Sequence, residues 1–288
     1  MSGTHRLKAS RHFLGCALLA IFGDVAAQDH GIDEDGPVER HRTSPAESDK
    51  RWGGTLSLAS QYVAGGFHMS WGQPALQGGI DYSHPSGWYA GLWASTVSPY
   101  AIEGAGSEWD VQLGYARTLG DFRLGGSIQY YMYPGASMAY AGGASYDYGD
   151  ITATASYRWL TVRYLWTYTR DYFGYNSVVM GRGVNRHSRG SSLADIGATV
   201  DIGSDYALAA RVGYRYVRGF QRNNLFNAKV EVTRRFGENW QLRGTYMKAW
   251  SKHGVLTNYT TGVPDSSGRI HYRNSIAGTF FVTLTRTF

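Results

Sequence analysis

Residues 280–288 read FFVTLTRTF, and their side chains alternate between apolar and polar for most of that length. Successive side chains of a β-strand point to opposite faces, so one face of this segment would be apolar and the other rich in hydroxyls. Two residues break the alternation, because Phe281 falls on the polar face and Arg286 on the apolar face. A strand with this pattern is typical of a membrane-spanning barrel, in which one face meets lipid and the other the lumen.

The same alternation recurs along the chain from Trp52 onward, in segments of about ten residues separated by turn residues. Counting the segments gives about twelve strands, an even number that lets a single-chain barrel close with both ends on one side. The sequence therefore predicts an all-β fold, a transmembrane antiparallel up-and-down β-barrel over residues 51–288 with both termini in the periplasm. The clearest upstream segments are 160–168, 195–202, 208–215, 226–233 and 240–246.

The connections between these segments alternate between short and long. Outer-membrane barrels show this asymmetry, with short periplasmic turns and longer extracellular loops, whereas a soluble sandwich has no reason to sort its loops. The tight turns fall at 84–87, 119–121, 203–205 and 237–239. The long stretches are 63–73, 98–108, 134–145, 171–190, 217–224 and 251–274.

Tryptophans fall at the predicted strand ends. An indole ring favours the headgroup level of a membrane, where its N–H reaches polar partners while the ring body stays apolar. We therefore predict two bands of membrane-interface aromatics. They comprise Trp52, Trp88, Trp159 and Trp240 at the periplasmic ends, and Trp109 and Trp250 at the extracellular ends.

Composition agrees with a barrel of many short strands. Charged residues make up 17% of the chain, and there are 38 glycines and 22 tyrosines. The mean hydropathy of −0.34 is low for a membrane protein, but lipid-facing and lumen-facing residues average out along each strand. No basic stripe with interleaved aromatics is present, so we expect no nucleic-acid partner.

The first residues have the order of a secretory signal. Basic residues precede an apolar run, which is followed by small residues suited to cleavage. The apolar run is too short to anchor the chain in a membrane. We predict a signal peptide over residues 1–27, removed on export, and hence an outer-membrane location. The three parts are Arg6, Lys8 and Arg11, then 13–22, then 25–27.

Residues 28–50 carry mixed charge and few residues to bury, which predicts a flexible periplasmic tail. Cys16 is the only cysteine and lies within the predicted signal peptide. The mature chain would then have no thiol, which excludes disulfides, a cysteine nucleophile and a cysteine-ligated metal. We expect no cofactor and no metal.

Three segments carry a family resemblance. QPALQGGIDYSH (73–84), GWYAGLWAS (87–95) and RDYFG (170–174) resemble the TorF family of porins, proteobacterial proteins long described only as of unknown function. The match covers about residues 55–175. The usual Arg-Gly near the top of the first strand is replaced by AGGF at 64–67, which leaves the role of the first loop open. The resemblance implies an outer-membrane channel but brings no substrate and no catalytic residue.

The last residue, Phe288, also resembles the final residue of other small outer-membrane barrels. Phe288 occupies the position that the barrel-insertion machinery reads in such proteins. We therefore predict that Phe288 is the barrel-insertion signal, with the barrel-assembly machinery and outer-membrane lipid as partners.

Strand parity places charged side chains in the lumen. Acidic residues of the N-terminal half and basic residues of the C-terminal half could form separate walls, which would set a field across a water-filled pore. Alternatively, ion pairs such as Asp195 with Arg211 neutralise one another and plug the lumen. The predicted pore-lining residues are Arg163, Arg211, Arg215, Lys229, Arg243, Asp195 and Glu231, with Arg235, Asp81, Asp110, Asp150 and Asp201 also inward.

These observations favour a porin-like channel for passive diffusion of small polar solutes or ions. The second hypothesis is a non-conducting barrel whose extracellular loops bind a surface ligand or partner. A third is a lipid-modifying enzyme, since His68-Met69-Ser70 has the His-x-Ser spacing of outer-membrane phospholipases. That spacing lies in a glycine-rich loop without a nearby Asn partner, so we predict no enzyme and assign no catalytic residue.

Overall fold

The structure is a computed structural model that describes residues 51–139, 143–176 and 186–288. The predicted signal peptide, 1–27, and the predicted tail, 28–50, lie outside these described residues. Across the described ranges, no helix is both long enough and apolar enough to cross a bilayer.

Twelve strands of the described chain form one closed antiparallel barrel, in which each strand pairs with its neighbours in sequence and the last pairs with the first. The predicted up-and-down barrel is confirmed. Two further strands of two residues each form a separate hairpin. In chain order the strands are β1 (Trp52–Ala59), β2 (Val63–Ala64), β3 (Phe67–His68), β4 (Ala75–Ser83), β5 (Trp88–Thr96), β6 (Ser107–Leu119), β7 (Phe122–Met132), β8 (Tyr148–Tyr157), β9 (Leu160–Thr167), β10 (Ser192–Asp201), β11 (Tyr206–Tyr216), β12 (Leu225–Phe236), β13 (Trp240–Trp250) and β14 (Thr279–Thr287).

The two faces of the barrel wall differ as the alternation predicts. On β14, Thr283 and Thr285 are buried, whereas Phe280 on the outer face is 64% exposed. Leu58 of β1 pairs with Leu284 of β14, so the apolar face continues across the seam that closes the barrel. A soluble protein buries side chains of this size or scatters them singly, so a continuous apolar outer wall indicates a lipid environment.

The connections separate into two classes by length, one class at each end of the barrel. The turn end also holds the start of β1 and the end of β14, and the loop end holds every long connection. The turn at 158–159 was not predicted, because it contains no Gly, Pro, Asn or Asp, and Arg158 adopts a φ of 52° there. The turn end comprises 84–87, 120–121, 158–159, 202–205 and 237–239, and the loop end comprises 60–74, 97–106, 133–147, 168–191, 217–224 and 251–278.

The first loop-end connection folds into the barrel. Its hairpin, β2–β3, which we call the inner hairpin (residues 63–68), packs on the inner face of β13 and β14. Val63 clusters with the inward side chains Met247 and Phe281. Gly66 has a φ of 86°, and a Cβ there would lie 2.5 Å from the Cβ of Ala249, so only glycine permits this approach.

Candidate functional site

Every predicted pore-lining residue lies on the inner face of the barrel. Five of these side chains are less than one-tenth exposed, namely those of Asp195, Glu231, Arg163, Lys229 and Arg215. Side chains of this type are rarely buried unless they are paired, so the interior must be organised around their charges.

Asp195 of β10 is the centre of an ion-pair group in the lumen that joins three strands. Its carboxylate accepts a hydrogen bond from Arg163 Nη2 at 2.8 Å and another from Arg211 Nη1 at 2.6 Å. Arg163 is its direct cross-strand partner on β9, and Arg211 reaches it from β11. Charge-assisted bonds of this length are strong, and one carboxylate here serves two guanidinium groups.

Three other inward arginines also reach carboxylates. Arg215 lies 3.8 Å from Asp150, a residue of the N-terminal half, and Arg243 lies 3.3 Å from Glu231. Thr167 and Thr245 donate hydroxyl hydrogen bonds to Asp150 and Glu231, respectively. Arg235 pairs with Asp201 at 3.1 Å. These contacts fit the ion-pair alternative more closely than they fit separate acidic and basic walls.

Two cavities in the barrel interior, both lined by described residues, flank the inner hairpin. The larger, of about 350 Å³, opens among the loop-end connections, and the smaller, of about 100 Å³, lies towards the turn end between β1, β13 and β14. Residues 61–63 line the smaller cavity, while Tyr62 and several residues of 64–69 line the larger. The inner hairpin and the segment leading into it therefore stand between the two cavities.

Aromatic rings form a large part of the wall of the larger cavity, which we call the loop-end cavity. Phe173 is central to them, with ring centroids of Tyr146 at 5.2 Å and Tyr133 at 5.5 Å. Its φ of 47° is unfavourable for a bulky side chain, so these ring contacts hold it in place. The guanidinium of Arg215 lies 4.5 Å from the ring centroid of Tyr172, and closes one side of the cavity.

The segment that carries Phe173 is clamped across the β9–β10 connection. His187 Nδ1 lies 2.9 Å from a carboxylate oxygen of Asp171, and Arg170 Nε donates to His187 Nε2 at 3.0 Å. Ser188 receives the amide hydrogen bond of Tyr172 at 2.8 Å. The RDYFG segment thus supplies both the clamp and the central ring of the cavity.

A scan of family descriptions gives one match, and it spans most of the chain. The family described as "Bacterial protein of unknown function (Gcw_chp)" matches residues 43–288. The chain belongs to the Gcw_chp family. This description does not include the TorF name, so membership of a TorF family remains a prediction. No curated protein matches the chain.

Several solved structures share the general shape of this Gcw_chp member at low sequence identity. The KdgM porin has a TM-score of 0.48 at 9% identity, covering 82% of this chain and 99% of that one. The NanC porin has a TM-score of 0.48 at 11% identity, covering 82% of this chain and 98% of that one. Omp33 of Acinetobacter baumannii has a TM-score of 0.43 at 9% identity, covering 82% of this chain and 97% of that one. At such scores the likeness assigns no function to this chain.

The tryptophans predicted for the membrane interface all lie on the outer surface near the strand ends. The turn end holds Trp52, Trp88, Trp159 and Trp240, and the loop end holds Trp109 and Trp250.

The terminal Phe288 is also exposed, and its amide donates to Gly54 O at 3.0 Å. Arg286, the charge on the apolar face, lies 5.5 Å from the Trp240 ring and 5.2 Å from the Phe288 ring. Their roles in the membrane remain predictions.

His68 and Ser70, the spacing considered for an enzyme, both have structural partners. His68 Nε2 lies 3.1 Å from Ala277 O, and its amide donates to Ser275 O at 2.9 Å. Burial lowers the pKa of His68, an effect partly offset by the bond to Ala277 and reinforced by Arg273. Ser70 Oγ donates to Gln73 O and accepts from the amide of Tyr62. Together these bonds anchor the inner hairpin and the turn that follows it.

The sequence analysis did not predict the loop-end cavity. Its walls come from five different connections and from the strand ends beside them, and strand parity does not describe the connections. A usable signal was present nonetheless: tyrosines are dense at both ends of the 133–147 connection, and RDYFG adds two more rings.

Proposed function

We propose that this protein is an outer-membrane channel for passive diffusion of small polar solutes or ions. In this proposal the chain is exported by the signal peptide at 1–27, and residues 28–50 form a periplasmic tail. The turn end faces the periplasm and the loop end faces outward, as in other barrels with this asymmetry of connections. Phe288 is proposed as the signal for insertion.

The observation that carries the proposal is the polarity of the inner wall. Hydroxyl, amide and charged side chains face inward along the strands, while large apolar side chains face outward. A barrel closed by an apolar core would fill this space with branched aliphatic residues, as TIM barrels do. More than half of the residues that line the smaller cavity carry hydroxyl or amide side chains, as suits a path for water and polar solutes. Its polar lining is Thr55, Ser57, Gln61, Gln77, Gln241, Arg243, Thr283, Thr285 and Thr287.

The inner hairpin favours the second candidate function, a non-conducting barrel that binds a ligand at its loop end. It stands between the two cavities, and Val63 is 1% exposed against Phe281 and Met247. A barrel of twelve strands is intermediate in width between barrels that side chains fill and barrels that stay open, so its width alone does not distinguish a channel from a non-conducting barrel. We place the channel first because the polar wall continues to the turn end, beyond the hairpin.

Single-channel recording in a planar bilayer tests the proposal. We expect discrete conductance steps from the purified mature chain. We also expect larger unit steps from Phe281→Ala, because that ring packs against the inner hairpin inside the lumen. Phe280→Ala is the matched control, since this neighbouring ring lies on the outer face and is 64% exposed. Its steps should equal those of the unchanged protein.

Silence from the unchanged protein at high concentration would contradict the channel and support the ligand-binding barrel. If the unchanged protein conducts and Phe281→Ala gives steps of the same size, ions pass along a path that the inner hairpin does not control.

A further inference from the structure

Two buried amide side chains face the loop-end cavity. Asn223, in the short turn before β12, is 5% exposed, and Asn227, on β12, is 7% exposed; both line the cavity. Within the described part of the chain neither side-chain amide has a hydrogen-bond partner, whereas the neighbouring Asn224 bonds to Val217 N and Tyr214 Oη. Because both residues are largely buried and line the cavity, a ligand that fills the cavity is the natural hydrogen-bond partner for these two amides.

Space for Asn227 is provided by the residue opposite it. Gly213 of β11 is its cross-strand partner, and a Cβ on Gly213 would lie 3.2 Å from Asn227 Oδ1 and 3.1 Å from the Cβ of Asp195. Such contacts are tighter than side chains usually make, so a glycine here keeps the amide uncrowded at the level of the Asp195 ion pairs. The Asn227 amide thus lies in the cavity wall, next to the layer of charged side chains around Asp195.

The ring walls and the amides define the chemistry of the ligand. The aromatic rings that line the cavity offer π faces on which a flat ring stacks. An asparagine amide offers one donor and one acceptor side by side, which match the edge of a heterocycle that has an acceptor beside a donor. The cavity volume of about 350 Å³ lies at the lower end of small-molecule sites, so one such ring system fits.

We propose that the loop-end cavity binds a planar nitrogen heterocycle of nucleobase type, stacked among the aromatic rings and bonded along one edge to Asn223 and Asn227. The site itself does not require conduction. Its role as the entry point of a transported solute rests on the proposed channel function.

Calorimetric titration of the purified full-length mature barrel in detergent, with adenine as the probe, tests the site. We expect saturable binding, and about tenfold or greater weakening in Asn227→Leu, which removes the amide at constant size. Asn239→Leu is the matched control: the same substitution is made at an exposed turn-end residue that does not line the loop-end cavity, so adenine binding should be unchanged. Glucose, a ring of hydroxyls without a π face, should bind far more weakly than adenine.

No adenine binding to the unchanged protein would overturn the proposal, and so would equal affinity in Asn227→Leu or equal binding of glucose. If Asn227→Leu does not fold, Asn223→Leu provides the same comparison. If the barrel binds adenine but gives no conductance in bilayers, the site stands and the channel proposal fails. If it conducts but does not bind adenine, the channel proposal stands and the site fails.

Discussion

Asp195→Ala is expected to lower the free energy of unfolding of the barrel by about 3–5 kcal/mol. Arg163 and Arg211 share this carboxylate, with contacts of 2.8 and 2.6 Å. The side chain of Arg163 is 9% exposed and that of Asp195 is 2% exposed, so water compensates little for the lost partner. Both guanidinium groups would lose this counter-charge, and removing one partner of a buried ion pair costs far more than the pair contributes.

Urea unfolding of the refolded barrel in phospholipid vesicles, followed by tryptophan fluorescence, measures this change. Asp121→Ala provides the same substitution at an exposed ion pair with Arg158, whose partners are 54% and 51% exposed. We expect no resolvable change there, because water and salt screen an exposed pair. Equal stabilities of the two variants would show that the Asp195 carboxylate is not the centre of the interior charge network.

Leu113→Arg is expected to lower the free energy of unfolding in lipid by about 2–4 kcal/mol. Leu113 lies halfway along β6 on the outer face and is 50% exposed. If that face meets hydrocarbon, a guanidinium placed there must be desolvated or must draw water into the bilayer. On a protein dissolved in water, the same substitution would be almost neutral.

Leu119→Arg is the matched comparison for Leu113→Arg, since Leu119 ends the same strand and has the same 50% exposure. At the interface an arginine costs only about 0–1 kcal/mol, because its side chain can reach the headgroups. The native Arg286 already shows a charge tolerated at this end, where Trp240 and Phe288 flank it. Equal effects at positions 113 and 119 would show that depth along the strand does not matter, which contradicts a membrane-spanning wall.

The barrel could be predicted from sequence because a repeated local rule determines it. Each strand shows the alternation on its own, and the order of short and long connections fixes an up-and-down arrangement with both chain ends at one end. Phe281 shows the limit of that rule. The alternation marks it as an exception, but its reason is a contact with Val63, 218 residues earlier, which only the folded structure supplies.

The interior site was predicted only in part, for the same reason. Parity places Asp195 and Arg211 inward, and their contact was among the alternatives considered. Parity cannot show that Asp195 also binds Arg163, nor that Asp150 lies by Arg215, since both depend on strand register and side-chain reach. The loop-end cavity depends on connections that have no periodic pattern.

Cysteine labelling of two adjacent residues tests the central claim, that the outer face of the barrel meets lipid and the inner face meets water. Thr55 of β1 faces the smaller cavity, and Leu56 beside it is 51% exposed on the outer face. Each is changed to cysteine in a Cys16→Ser background and inserted into phospholipid vesicles. We predict that a charged, water-soluble maleimide labels Thr55→Cys, whereas only a lipid-soluble reagent labels Leu56→Cys. Labelling of Leu56→Cys by the charged reagent as fast as Thr55→Cys would contradict the account.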